Sequence, residues 1–388
     1  MQSAYVDNLA ERKATYSRFW AGENLGRPLV SIYAMRDQPR PHSPSPAIPA
    51  QPESMWLDPD FVIPNRLAHL ARTSFLGDSI PHVSVELGPG ALAAYLGSRI
   101  RCDYTTVWYG EIMSSITDQL PGIDESNQWW QRHFAVISKA AEVASEQGFY
   151  VAIPDLIEGL DILASLRGNQ ALVLDMMDAA NSRHVHNHLR DITAWYLHYY
   201  DRIHAAVSDE DGWSICTYLE PFGQGRSCKI QCDFAALLDP VLFAEFAVPF
   251  IEAQAANYDY VSYHLDGPGA IYSAPLVATI DKVRVIQWIP GAGSAPEYDE
   301  QWESPVIDPL IAAGKVVQLI FAPRYPATAD QHQAQLERIV SGLTRLVNKY
   351  GPDNFWFVFK YGFSESLVDE VLLPAAREWG YPSNDRLA

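Results

Sequence analysis

Eight short runs rich in β-branched and aromatic residues punctuate this chain, and segments of helical periodicity separate them. The runs fall at 28–34, 82–87, 149–153, 214–219, 260–265, 283–289, 315–321 and 355–360. Helix-length patterns lie at 61–75, 128–147, 160–207, 241–256, 302–313, 331–349 and 364–378. A strand followed by a helix must cross over before the next strand, so its neighbours come out parallel. The alternation therefore predicts an α/β fold. Eight such strands predict a single closed (β/α)8 TIM barrel with an N-terminal helix, spanning 1–388 as one domain, in preference to an open doubly wound sheet. No repeat and no low-complexity linker divides the chain.

Seven prolines between Gln38 and Pro59 interrupt this order. They suit neither a ladder nor a helix interior, and predict an extended loop after strand one, at the rim where barrel active sites form. A lid, a subunit contact or a plain surface excursion would all fit.

Charge narrows the partners. With 28 Lys plus Arg against 47 Asp plus Glu, the net charge of −19 repels nucleic acid and anionic membranes over most of the surface. Hydrophobic residues at 48% exclude a disordered chain, and no apolar run is long enough to span a bilayer. Cys102, Cys216, Cys228 and Cys232 are few, and the N-terminus lacks the apolar run of a secretory signal, so a cytoplasmic protein with reduced thiols is expected. The spacing of Cys228 and Cys232, C-x3-C, is not that of a zinc or redox pair.

The strand ends carry the polar residues. Glu86 precedes Gly88-Pro89-Gly90, 149–153 runs into Asp155, 214–219 leads to Glu220, and 260–265 closes on His264-Leu265-Asp266-Gly267. Gln287-Trp288 and Lys360-Tyr361 end two later strands, and Asp233 lies between a polar stretch and a helix start. Unpaired carboxylates are costly in a core, so their convergence on one rim points to a site. His264 and Asp266 share a strand face, whereas Tyr263 and Leu265 take the other. The pair could act as acid and base, as two metal ligands, as an imidazole oriented by Asp266, or as a satisfied core pair. The five histidines at 184, 186, 188, 198 and 204 tempt a metal reading, but the apolar stripe Val185, Leu189, Ile192, Tyr196, Tyr199 and Ile203 beside them predicts an ordinary amphipathic helix.

The phrases RFWAGENLGRPLVSI, ELGPGALAAYLG, PDLIEGLDILASLRGNQALVLDMMD, CDFAALLDPVLFAEFAVPFI, YHLDGPGAI and VIQWIPGAG, in that order, resemble the uroporphyrinogen decarboxylase superfamily over nearly the whole chain. The pattern is most similar to its branch of corrinoid- and zinc-dependent methyltransferases. There a His-x-Cys-Gly stands where this chain has His264-Leu265-Asp266-Gly267, and a second Cys on the last strand would fall near Tyr361. With the thiolates replaced, the resemblance implies a metal set of His264 and Asp266, with zinc or a corrinoid as cofactor. The Arg-rich segment of the decarboxylase branch has no clear match around Arg36 and Arg40.

The resemblance thus implies methyl transfer between a corrinoid protein, or a methylated small molecule, and an acceptor. Catalytic candidates are Glu86, Glu220, Asp233, His264 and Asp266. Trp108, Tyr109, Tyr263, Gln287, Trp288, Lys360 and Tyr361 are candidates for holding substrate. The alternative is a glycoside hydrolase using the strand-end carboxylates with aromatic platforms. A uroporphyrinogen-type decarboxylase and a non-catalytic binding barrel rank lower, and a homo-oligomer is compatible with all four.

Overall fold

A computed structural model describes residues 3–323 and 328–382. It is a mixed α/β structure around a seven-stranded sheet, ordered Thr73–Gly77, Leu29–Met35, Phe355–Phe359, Val316–Phe321, Val283–Ile289, Tyr260–Asp266 and Ser227–Gln231. Every adjacent pair is parallel except the first. The runs of Val, Ile, Phe and Trp explain this: Phe355–Phe359 is buried at all five positions, as a strand covered on both faces must be. Helices such as Ala329–Tyr350, opened by a capping box at Thr328 and Gln331, supply the crossovers. In a separate two-stranded sheet His82–Ser84 pairs in parallel with Tyr150–Ala152, and a single bridge joins Ile153 to Cys216.

Four expectations are corrected. The segment 214–219 contributes only a short strand, Trp213–Ile215, which turns back in an antiparallel hairpin with Phe222–Gln224. Ser227–Gln231, read from sequence as a polar stretch after a strand, is itself a strand. Its Lys229 and Gln231 share one face, where Lys229 donates to Asp155 and the Gln231 side chain to Asp233 and Asp161, while Cys228 and Ile230 are buried on the other. The helical pattern 61–75 ends at Ala71, and Thr73–Gly77 becomes the antiparallel edge strand. The pattern 160–207 breaks into Gly159–Arg167, Asn169–Met177 and Ser182–Val207. Gly168 forces the first break: its φ is +91°, and a Cβ there would meet the Glu111 carboxylate at 2.6 Å.

The last of these helices buries Val185, Leu189, Ile192, Tyr196, Tyr199 and Ile203, as its stripe predicts. His188 is a satisfied core histidine, its Nε2 2.8 Å from the Ile116 carbonyl. The proline-rich segment follows the surface, held where Arg40 donates to the Tyr5 carbonyl and Tyr104 to that of Ala50. It is not wholly extended: Ser54–Leu57 is a short helix, and Pro59 opens the helix Pro59–Ala71 at the position where a missing N–H costs nothing.

Inside, the helix Leu9–Trp20 closes the lower end. Tyr16 packs edge-on against Phe222 and Trp356, and Trp356 donates its indole N–H to Ser31 Oγ at 3.1 Å. That aromatic layer is buried, and it forms the floor on which the polar residues above it stand. No helix among the described residues is long and apolar enough to cross a membrane.

Candidate functional site

Above this floor, at the C-terminal ends of the parallel strands, lies a cavity of about 590 Å³. Glu86 enters it just beyond His82–Ser84, His264 and Gln287 from neighbouring strands, and Lys360 and Tyr361 from beyond Phe355–Phe359. The helix Pro59–Ala71 adds Arg66 and His69, and the hairpin turn adds Tyr218 and Glu220. In that turn both Tyr218 (φ +69°) and Glu220 (φ +58°) are left-handed, a conformation that non-glycine residues hold only where surrounding contacts enforce it.

The contacts on Glu220 do so. Its carboxylate is buried, accepts from Tyr33 Oη at 2.5 Å, forms an ion pair with Lys360, and lies 3.8 Å from His82 Nε2. Gln318 fixes the same turn by donating to the Leu219 carbonyl at 2.8 Å. Burial holds His82 below the ordinary histidine value despite Glu220, and holds His69 at about 4, so His69 is neutral at pH 7. The His69 and Tyr361 rings meet at 4.1 Å.

Glu86 has a different environment. Burial raises its carboxyl, nearby Asp155 raises it further, and the Asp155 N–H, the Thr217 hydroxyl and Arg66 oppose them, leaving it at about 7. A carboxyl poised there can give or take a proton at neutral pH.

Beside the cavity runs a buried network. Lys229 Nζ donates to Asp155 at 2.6 Å and to Gln231. Burial works against its charge, but Asp155 and Glu158 outweigh burial, and Lys229 stays above the ordinary lysine value. Gln231 passes the network on to Asp233 at 2.9 Å. Asp233, His264 and Asp266 then each offer one donor atom, all within 4.8 Å of one another, the one three-ligand set of this kind among the described residues. Gln287 Oε1 accepts from His264 Nδ1, which leaves the Nε2 lone pair free on the side of Asp233, 3.9 Å away. One imidazole nitrogen and two carboxylates suit a divalent cation that accepts nitrogen and oxygen donors, and do not reproduce a thiolate-rich zinc site.

No protein-family model and no curated protein matches this chain. What the site can do therefore rests on the residues it assembles. Glu86, Glu220, His264, Gln287, Lys360 and Tyr361 meet at one cavity, and Asp233 and Asp266 join through His264. Trp288 and Tyr263 do not, because strand alternation turns both away: Trp288 packs on Trp302 at 5.2 Å, and Tyr263 is buried beside Leu265's face of its strand. Trp108 is exposed on the hairpin of Ile100–Cys102 and Val107–Tyr109, over Arg101, and Tyr109 donates to the Leu87 carbonyl. The placing of Trp108, Tyr109, Tyr263 and Trp288 on the cavity wall is corrected accordingly. Arg66, His69, His82, Tyr218 and Lys229 were absent from the sequence-based candidates.

Proposed function

We propose that this chain is an enzyme of group transfer, methyl transfer to or from a small molecule in the strand-end cavity, and that its sheet closes into the (β/α)8 barrel expected from sequence. Closure is supported by the pairing of the first and last strands, by the bridge from Ile153 to Cys216, and by the 3.0 Å contact of Ser214 Oγ with Ser227 Oγ. The functional reading rests on one observation above the others: His264, oriented by Gln287, presents its free nitrogen beside two carboxylates at the cavity's edge. Asp233, His264 and Asp266 would hold a divalent cation, which supplies Lewis acidity that makes an acceptor heteroatom more nucleophilic.

The rest falls to the chain's own groups. Tyr218 and Tyr361 give aromatic walls beside which an in-line displacement would run. As the acceptor bonds the methyl carbon and the donor departs with the electron pair of the broken bond, Glu86 as the carboxylate takes up the proton that the acceptor loses. A cavity of about 590 Å³ fits a small molecule, so a corrinoid donor would stay at the mouth on a partner protein. Incubation with methylcobalamin or methylated amines and thiols, with manganese or zinc present, tests the reading. Methyl transfer lost in His264→Ala is expected; absence of both transfer and cation binding in the wild type overturns it.

Glu86 near 7 also favours a second reading, a general acid in glycoside hydrolysis. Turnover of chromogenic glycosides in the presence of a chelator would replace methyl transfer with hydrolysis.

A further inference from the structure

Arg66 is an unusual residue to find half-sunk in a cavity wall. Its Nε is shielded from solvent and has no hydrogen-bond partner, and no ion pair is formed with any described residue. The cavity's lysine, Lys360, is already paired with Glu220. A buried guanidinium nitrogen without an acceptor is costly, and a carboxylate entering the cavity would offer one. His69 lies three residues on, on the same face of the helix Pro59–Ala71, and its ring braces Tyr361 across the cavity. Glu86 influences Arg66 through space but lies beyond ion-pair distance. Arg66 and Lys360 are the two lysine or arginine residues among the cavity's described lining, which also carries Glu86, Glu220 and Glu297.

We propose that Arg66 anchors a carboxylate of the small molecule that occupies this cavity, so that the substrate class is a singly charged organic acid. The proposal rests on the reading of the cavity as the substrate site, not on the cation set at Asp233, His264 and Asp266. A guanidinium fork matches a carboxylate in plane and spacing, and one unpaired cation balances one negative charge. A multiply charged anion would meet one cation here and be repelled by the surface elsewhere.

Titration calorimetry of the full-length protein with sodium benzoate, benzamide and inorganic phosphate tests this. Benzoate is expected to bind at least about tenfold more tightly than its neutral isostere benzamide, and Arg66→Met to remove that preference while leaving benzamide affinity unchanged. Arg66→Lys should keep part of it. Equal affinity for benzoate and benzamide, or benzoate binding unaltered in Arg66→Met, overturns the anchor; phosphate binding more tightly than benzoate overturns the carboxylate assignment. Should Arg66→Met fail to fold, the comparison of benzoate, benzamide and phosphate on the wild type decides. Manganese titration separates the two ideas: a wild type that binds no manganese yet prefers benzoate sinks the cation reading and leaves the anchor standing.

Discussion

Glu86→Gln removes one titration from the cavity while keeping its shape. The folded-state pKa of Glu86 is raised above its ordinary value of 4.5 to about 7. The stabilising contribution of the proton is thus complete below about 4.5 and is lost as pH rises through about 7. At about 1.4 kcal/mol per pKa unit the interval is worth at most about 3 kcal/mol, so an effect of about 1 to 3 kcal/mol is expected. Glutamine stays neutral and can accept from the Asp155 N–H as Glu86 does at 2.9 Å. Denaturant unfolding followed by tryptophan fluorescence should show variant and wild type nearly alike at pH 4.5, with the variant ahead by about 1 to 3 kcal/mol at pH 8.5. A difference that does not change between those pH values would refute the raised pKa and with it the proton-transfer role.

Lys229→Met leaves Asp155 buried without its cation, and should cost about 3 to 5 kcal/mol by the same unfolding measurement. Replacing Asp155 by Leu as well should recover much of that; no recovery would show that the pair is not the source of the loss. His264→Ala and Asp266→Asn should keep or raise the melting temperature while abolishing manganese binding and turnover, since polar site residues are held at a cost in stability; two destabilised variants with normal activity per folded molecule would make the set structural. Gly223→Ala places a Cβ 2.2 Å from the Tyr260 ring, and should cost at least about 1 to 3 kcal/mol in thermal melting. A neutral result would mean that the hairpin can shift away from the ring.

The strands were legible where side chains are β-branched and buried on both faces, as in Val283–Ile289 and Phe355–Phe359. Ser227–Gln231 was not, because a strand whose inner face bears Lys229 and Gln231 reads as loop until the acids that neutralise it are known. The same limit divides the site. Residues at strand ends, such as Glu86, His264 and Gln287, could be found by position, and period-two alternation alone sends Trp288 to the opposite side. Arg66 and His69 sit on a helix whose face toward the cavity is set by packing, and only their three-residue spacing hinted at a shared direction. Glu220 was found, yet its left-handed backbone and its tie to Lys360 come from contacts distant in the chain.

The pairing of Leu29–Met35 with Phe355–Phe359 has a consequence for synthesis. The bond from Trp356 to Ser31 joins residues 325 apart, so the first long strand leaves the ribosome without its parallel neighbour. At about 5 to 20 residues per second the wait is about 15 to 65 seconds. Thr73–Gly77, which pairs antiparallel with Leu29–Met35, emerges within seconds and covers its other edge. The edge that awaits Phe355–Phe359 stays open throughout translation, apolar and prone to join another nascent chain. Yield from the cell should therefore depend on how quickly and how sparsely the message is translated, more than on the stability of the finished molecule.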